Sequence, residues 1–193
     1  MKGQKGLLRS GCDWEGMALK FEGKVTIVGL GKIGFPLAIQ FASMGIEVEG
    51  VDVSESLVAL INQGIAPFEE PNSPKSVEEL VTLGLLRATT NLASSVSRSA
   101  FVVVVVPLYV DSSGNADFGN IDDVVRQIGR NMAEGTCVIF ETTLPIGTTR
   151  SRFTPMLEEE SGLTAGEGFF AAFSPERVSS GRVYEDLRSY PKL

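Results

Sequence analysis

The chain has 193 residues, of which 43% are hydrophobic, and its 17 basic and 24 acidic residues give a formal net charge of −7. This length suits one domain with a sizeable hydrophobic core, and the acidic balance argues against nucleic acid as a partner. Histidine is absent and the two cysteines, Cys12 and Cys137, are far apart, so we predict no metal site, no disulfide framework and a reducing, cytoplasmic location.

The N-terminal residues 1–23 show no helical or strand periodicity and contain five glycines. We predict that they form an extension ahead of a single domain over residues 24–193. No apolar segment follows their basic residues, so they are not predicted to be a signal peptide. The longest apolar run, residues 100–108, is about half of what spans a bilayer, so no membrane partner is expected.

Residues 24–52 contain the clearest motif of the chain. Their pattern predicts a strand, a glycine turn, a helix and a second strand that ends at Asp52. The turn matches G-x-G-x-x-G, and Asp52 follows its last glycine by 18 positions. This arrangement is typical of dinucleotide binding. The predicted cofactor-binding residues here are Gly29, Leu30, Gly31, Lys32, Ile33, Gly34 and Asp52.

The glycines of this turn have separate physical roles, and Asp52 indicates which dinucleotide binds. Gly29 allows the tight turn, the missing Cβ of Gly31 lets a pyrophosphate approach the backbone, and Gly34 lets the helix pack closely on the strand. The N–H groups at the helix start would bind the phosphates. Asp52 would accept hydrogen bonds from the ribose hydroxyls and would repel a 2′-phosphate, so the predicted cofactor is NAD and not NADP.

The remaining segments alternate between helix and strand. We predict helices over residues 54–61, with Ser54 as N-cap, and over 76–83, 91–97, 121–132 and 148–160, the last disturbed at Pro155. We predict strands over residues 85–89, 101–106, 136–140 and 168–173, and irregular structure over 111–120 and 174–193. The run at 101–106 lacks alternation, which is typical of a strand buried on both faces.

This order contains no hairpin signal and predicts an α/β fold of the Rossmann type. We expect a doubly wound parallel sheet of six strands in the order 3-2-1-4-5-6. The carboxyl ends of parallel strands meet at one edge of a sheet. Pro107 and residues 141–143 and 174–176 follow directly on strands, so we expect them to converge beside the glycine turn.

Three stretches share an order and spacing with a known family. They are Gly29-x-Gly31-x-x-Gly34-x-Pro36-x-Ala38, then Glu141-Thr142-Thr143-Leu144-Pro145-Ile146-Gly147-Thr148-Thr149, then Ser174-Pro175-Glu176-Arg177-Val178 with Gly181. Together they resemble the nucleotide-sugar dehydrogenases, which oxidise a UDP-sugar at C6 to a uronic acid. Residues 51–53, 86–91 and 106–107 also fit, and the resemblance covers residues 24–193. The Ser-Pro-Glu-Arg form is more similar to members acting on UDP-N-acetylhexosamines, of the mannosamine or glucosamine type, than to UDP-glucose dehydrogenase.

The resemblance implies roles for residues at the strand ends. Thr143 would lie near the nicotinamide and help to hold an active-site water, and Glu176 would face the reacting carbon and take part in proton transfer. Val106 and Pro107 would contact the cofactor. The substrate-binding residues implied are Glu176, Arg177 and Val178. A local excess of positive charge suits a UDP diphosphate, and its members are Arg150, Arg152, Arg177, Arg182 and Arg188.

The chain departs from the family in two ways. After Val106-Pro107 the family often has Thr-Pro, and here it is Leu108-Tyr109. The family also continues with a central helix and a sugar-binding domain that carries the catalytic cysteine, and neither Cys12 nor Cys137 lies in such a motif. We therefore expect the NAD-binding domain of a UDP-N-acetylhexosamine 6-dehydrogenase that lacks the nucleophile, with a UDP-sugar as substrate and a homo-oligomer as the full assembly.

Three alternatives stay open on the sequence. The domain could belong to a UDP-glucose 6-dehydrogenase, which shares most of these motifs. A non-catalytic NAD-sensing module would need the glycine turn and Asp52 but not residues 141–149 or 174–178. A β-hydroxyacid-type dehydrogenase has a similar first domain and would need its own catalytic lysine elsewhere.

Overall fold

The structure is a computed structural model, and it describes residues 23–68, 71–175, 177–178 and 181–189. The predicted extension, apart from Gly23, lies outside the described residues. The strands are β1 (Lys24–Val28), β2 (Val48–Val51), β3 (Leu86–Thr89), β4 (Ser99–Val104), β5 (Tyr109–Val110), β6 (Ala116–Asp117), β7 (Cys137–Phe140) and β8 (Phe170–Phe173). The helices are α1 (Gly34–Ser43), α2 (Glu55–Asn62), α3 (Val77–Thr82), α4 (Leu92–Val96), α5 (Gly119–Asn131), α6 (Thr154–Ser161) and α7 (Val183–Ser189).

Six strands form one parallel sheet in the order β3-β2-β1-β4-β7-β8. Counted within this sheet, the order is 3-2-1-4-5-6, so the predicted Rossmann-type doubly wound sheet is confirmed. One face packs against α1, α2, α3 and α7, and the other against α4, α5 and α6. In β4, Val103 packs on the first face and Val102 and Val104 on the second, which explains the unbroken β-branched run.

The predicted boundaries of the helices and strands are close to those observed. Ser54 caps α2 as predicted, because its hydroxyl accepts a hydrogen bond from Leu57 N–H at 3.3 Å. β4 ends two residues earlier than predicted. The Val105 N–H still donates to Val28 O at 2.8 Å, but Pro107 has no N–H with which to continue the ladder.

The prediction that residues 111–120 are irregular was wrong in part, because a short hairpin without a signal in the sequence includes most of them. β5 and β6 pair antiparallel within and just before the segment predicted to be irregular. The Asp111 carboxylate closes the turn between them: it accepts hydrogen bonds from the backbone N–H groups of Ser113 and Asn115, both at 2.8 Å, and from the Asn115 amide at 2.9 Å. The bond from the Asn115 side chain is the main reason that the pKa of Asp111 is lowered. Strands of two residues are too short to show alternation in the sequence.

One prediction for the C-terminal part agrees with the structure and one was wrong. The helix predicted over residues 148–160 is present, and a π-helical turn (Thr149–Phe153) runs directly into α6. Pro155 has no N–H to donate to the carbonyl four residues earlier, so the predicted disturbance lies in the turn that precedes it. Residues 174–193 are not wholly irregular, since they contain α7, which packs on α1. Buried Val183 and Tyr184 and partly buried Leu187 hold α7 there, and their spacing was a helical signal that the sequence analysis missed.

Membrane-spanning helices and metal-binding clusters are both absent from the described segments. None of the helices in the described segments combines the length and the hydropathy needed to cross a bilayer. The same segments hold no cluster of three or more side chains suited to bind a metal ion.

Buried Asp122 on α5 is paired with Arg152 of the π-helical turn. The guanidinium Nε and Nη2 donate to the two carboxylate oxygens at 2.9 and 2.5 Å, and the same guanidinium lies 4.3 Å from the centre of the Phe118 ring. This hydrogen bonding raises the pKa of Arg152. The pair therefore fixes the π-helical turn against α5, and Arg152 is engaged within the fold.

We expect Arg152→Ala to lower the free energy of unfolding by about 2 kcal/mol, because it leaves the Asp122 carboxylate buried without its cation. The loss is expected to be below that of a fully buried pair, since the Arg152 side chain is 44% exposed. Urea unfolding measures the change. The control is Arg150→Ala, which removes an exposed arginine that has no ion pair with any described residue. Equal stability of the two variants would contradict this account of the pair.

Candidate functional site

The carboxyl ends of the six parallel strands lie in register. Val28 pairs with Val51 on one side and with Val104 on the other, and Val104 pairs in turn with Phe140. The row is completed at its two ends by Thr89 and Phe173. All the segments that follow the strands therefore leave the sheet at one edge. The chain switches from one face of the sheet to the other between β1 and β4, which is where ligands bind in open α/β sheets.

The glycine turn leaves this edge directly after β1. Gly29 has a φ of +96°, which favours glycine, and a Cβ there would lie 3.3 Å from the backbone of Val105. A Cβ on Gly34 would lie 1.8 Å from Gly29 O, so α1 reaches its close approach to β1 only with glycine at this position. The turn is thus shaped by backbone contacts on both sides.

The start of α1 is open to a ligand. Apart from Gly31 and its two chain neighbours, no described residue has a heavy atom within 4 Å of the point that a Cβ on Gly31 would occupy. No side chain caps the helix at Ile33, and its first turn contains no acidic residue. Lys32 is exposed beside it. Free N–H groups and the helix dipole make such a start a binding site for phosphate groups, so these residues fit the pyrophosphate of a dinucleotide.

Leu30 contributes its backbone to this site, since its side chain is in the core. The side chain is 1% exposed and lies over Gly50 of β2, where a Cβ would come within 2.7 Å of it. The Leu30 N–H donates to Asp52 Oδ2 at 2.9 Å. The cofactor contact predicted at Leu30 is thereby limited to main-chain atoms.

Asp52 joins the end of β2 to the glycine turn. Besides the bond from Leu30, its Oδ1 accepts a hydrogen bond from Ser54 N–H at 3.0 Å. The carboxylate is half-buried, so it is held in place and still reachable from the edge of the sheet. A carboxylate oxygen has two lone pairs, so each can accept another hydrogen bond from a ribose hydroxyl.

A cleft of about 440 Å³ opens beside Asp52. This volume is within the range of small-molecule and cofactor sites, which is roughly 300–1,000 Å³. Gly29, Asp52, Val106 and Pro107 line it, so four of the predicted cofactor residues share one cavity. The other lining residues are Val28, Val51, Val53, Thr90, Leu92, Tyr109, Asn120, Asp123, Val124 and Gln127. The sequence reasoning missed those on α5, although their helical spacing was a signal for one shared face.

Thr143 lies at the same edge of the sheet but outside the lining of this cleft. It follows β7 by three residues and is exposed. β7 is two strands away from β1, which corresponds to about 10 Å across the sheet. The adjacent Glu141 and Thr142 are buried. A ligand that reached both Asp52 and Thr143 would lie across the ends of β2, β1, β4 and β7.

The predicted substrate residues after β8 are only partly visible. Glu176 lies outside the described residues. Arg177 is exposed and Val178 is half-buried. Of the arginines proposed for a diphosphate, Arg182 is paired with Glu185 and Asp186 on α7, as Arg152 is with Asp122. These two arginines have structural partners, and Arg150 and Arg177 have no ion pair with a described residue.

Cys137 lies at the start of β7, between β4 and β8 in the sheet. Its thiol is partly buried, and this burial raises its pKa. A raised pKa disfavours the thiolate, which is the reactive form of cysteine. The structure therefore places Cys137 within the sheet as a partly buried cysteine whose thiolate is disfavoured.

Comparison with known proteins gives one consistent family. Residues 23–193 match the NAD-binding domain of the UDP-glucose/GDP-mannose dehydrogenase family. Over 165 residues the chain is 34% identical to the UDP-N-acetyl-D-mannosamine dehydrogenase of Pyrococcus horikoshii, covering 85% of this chain and 38% of that protein. It is 35% identical over 170 residues to the UDP-N-acetyl-D-glucosamine 6-dehydrogenase of Pseudomonas aeruginosa, covering 88% and 39%.

The solved structures agree with the sequences. A ternary complex of GDP-mannose dehydrogenase from Pseudomonas aeruginosa superposes with a TM-score of 0.79 at 32% identity, over 84% of this chain and 38% of that one. The chain therefore spans about two fifths of the length of the relatives that it matches. Those relatives differ in the sugar nucleotide that their names specify, and their identities to this chain are nearly equal.

Proposed function

The chain belongs to the UDP-glucose/GDP-mannose dehydrogenase family, whose NAD-binding domain it matches, and on this premise we propose that it is the NAD-binding domain of a UDP-N-acetylhexosamine 6-dehydrogenase of the mannosamine or glucosamine type. The observation that carries the proposal is the cleft at the switch point, where the open glycine turn and Asp52 meet. The hexosamine preference rests on Ser174-Pro175-Glu176-Arg177, in which arginine and not an aromatic residue follows the glutamate. We further propose that the complete protein is located in the cytoplasm and forms a homo-oligomer.

Each part of the edge would have a separate task. The N–H groups around Gly31 bind the diphosphate, and Asp52 orients the adenosine ribose. NAD, when bound, supplies the acceptor for a hydride from the sugar C6. Thr143 would hold a water near the reacting carbon, and Glu176 would take or return the proton of the C6 alcohol. Arg177, exposed beside Glu176 in sequence, would pair with the diphosphate of the sugar nucleotide.

The proposal is tested with the complete protein by measuring NADH formation on four sugar nucleotides. We expect UDP-N-acetylmannosamine or UDP-N-acetylglucosamine to exceed UDP-glucose and GDP-mannose in kcat/KM by at least about tenfold, because a site built to hydrogen-bond the acetamido group leaves polar groups unpaired when that group is missing. Faster turnover of UDP-glucose or GDP-mannose would reject the hexosamine assignment and leave the family assignment intact.

The control for this experiment is the 193-residue chain alone. We expect it to bind NAD in calorimetry and to form no NADH, because oxidation to an acid needs a covalent stage and Cys137 is held within the sheet. NAD binding without turnover by the complete protein would favour a non-catalytic NAD-sensing module. Steady NADH formation by the chain alone would mean that its nucleophile lies elsewhere in these residues.

Glu176 is expected to act in the chemistry and not in folding. In the complete protein, Glu176→Gln should lower kcat by about a hundredfold or more, the usual range for loss of a general acid or base, while the melting temperature stays within a few degrees. The control is Glu167→Gln, which neutralises a glutamate that is exposed ahead of β8. If the Glu176→Gln variant kept the wild-type kcat, the catalytic role assigned to Glu176 would be rejected.

A further inference from the structure

The cleft beside Asp52 extends beyond the position proposed for the ribose. In adenosine the base and the phosphate-bearing carbon are attached to different ring positions of the ribose. If the phosphates lie at the glycine turn and the ribose lies at Asp52, the base must occupy the remaining part of the cleft. That part is lined by α5 and by the apolar side chains Leu92, Val124 and Pro107, against which a flat ring can pack.

Three polar residues of α5 face this part of the cleft. Asn120, Asp123 and Gln127 are three and four positions apart, so they share one face of the helix. Within the described part of the chain, none of their side chains has a hydrogen bond or a salt bridge, although the Asp123 carboxylate helps Glu160 to raise the pKa of Arg130. Other charges of the same helix are engaged: Asp122 pairs with Arg152, and Arg130 pairs with Glu160 at 2.7 Å.

We propose that α5 recognises the adenine base of the cofactor, with Asp123 accepting a hydrogen bond from the exocyclic amine and Gln127 contacting the adjacent ring nitrogen. The inference rests on the proposed function and adds to it the residues that select the base. A carboxylate can only accept, and adenine offers a donor on this edge. An amide both donates and accepts, so the Gln127 amide can donate to the ring nitrogen.

The matched ligand for a test is nicotinamide hypoxanthine dinucleotide. It differs from NAD only in the base, where a carbonyl replaces the amine and the adjacent ring nitrogen carries a proton. Asp123 would then face an oxygen and lose its donor. We expect the 193-residue chain to bind NAD at least about tenfold more tightly than this analogue in calorimetry, since one base-selective contact is worth about that factor.

Variants of α5 assign the selectivity to its residues. Asp123→Asn should bring the ratio of the two dissociation constants towards one, because an amide can donate to the carbonyl of hypoxanthine. Gln127→Leu keeps the bulk of the side chain and removes both its donor and its acceptor, so it should weaken binding of both dinucleotides several-fold. Glu134→Gln is the control: it neutralises an exposed carboxylate just beyond the end of α5 and should leave the ratio unchanged.

The outcomes separate this inference from the proposed function. Equal affinity of the wild-type chain for both dinucleotides would overturn base recognition and leave NAD binding in place. An unchanged ratio in Asp123→Asn, or wild-type affinity for both dinucleotides in Gln127→Leu, would also overturn it. If the chain binds neither dinucleotide, both the proposed function and this inference are overturned.

Discussion

Gly34→Ala is expected to lower the free energy of unfolding by about 3 kcal/mol or more, enough to remove much of the stability of a domain this size. The added Cβ would lie 1.8 Å from Gly29 O and 3.4 Å from Ile27 Cγ2. A backbone carbonyl cannot rotate away as a flexible side chain can, so α1 would have to move off β1. Thermal and urea unfolding of the variant measure the loss.

Gly31→Ala is the matched control for this prediction. Apart from its two chain neighbours, its Cβ meets no heavy atom of a described residue within 4 Å, so we expect the free energy of unfolding to change by no more than about 0.5 kcal/mol. The same Cβ would occupy the open space through which a pyrophosphate approaches, so affinity for NAD should fall at least about tenfold. A stable Gly34→Ala variant, or a Gly31→Ala variant with wild-type affinity, would contradict the roles assigned to the two glycines.

Asp52→Ala is expected to weaken NAD binding by about ten- to a hundredfold, which corresponds to loss of a hydrogen bond to a charged acceptor worth roughly 1.5–3 kcal/mol. Binding of NADP should change little or improve, because the charge that repels a 2′-phosphate is removed. The preference of the wild-type chain for NAD would therefore narrow sharply. Calorimetric titration of both cofactors measures the two dissociation constants.

In the structure Asp52 also holds the glycine turn, and the experiment must separate this role from its contact with the ligand. Its carboxylate accepts hydrogen bonds from Leu30 and Ser54, so alanine also loosens the glycine turn. Asp52→Asn keeps an acceptor oxygen and removes only the charge, so it reports the electrostatic part. Glu55→Ala removes an exposed charge three residues away and should leave the preference unchanged. Equal affinity of the wild-type chain for NAD and NADP would reject the role assigned to Asp52.

The cleft shows how these residues act as one site. Asp52 is bonded to the glycine turn through the Leu30 N–H, and the turn is bonded to β2 through the Gly29 N–H, which donates to Val51 O at 2.8 Å. Binding at the phosphate end and at the ribose end therefore depends on the same short backbone segment. A substitution at either end should affect affinity for the whole dinucleotide.

The sequence determined the parts of this protein that depend on short-range patterns. The six strands and their order follow from the alternation of strand and helix, because few ways exist to bury both faces of a parallel sheet. The glycine turn and Asp52 were found because they occur within one βαβ unit. The fit of Gly34 against Gly29 is likewise a local feature, since the two are only five positions apart.

Tertiary structure alone decided the features that join distant segments. Asp122 and Arg152 are 30 positions apart, and only the packing of α5 against the π-helical turn makes one of the predicted diphosphate arginines a structural residue. The hairpin after β4 depends on the Asp111 turn network, and α7 depends on its packing against α1. The polar face of α5 became part of the cleft because the sheet places it opposite Asp52, a relation that no periodicity along the chain encodes.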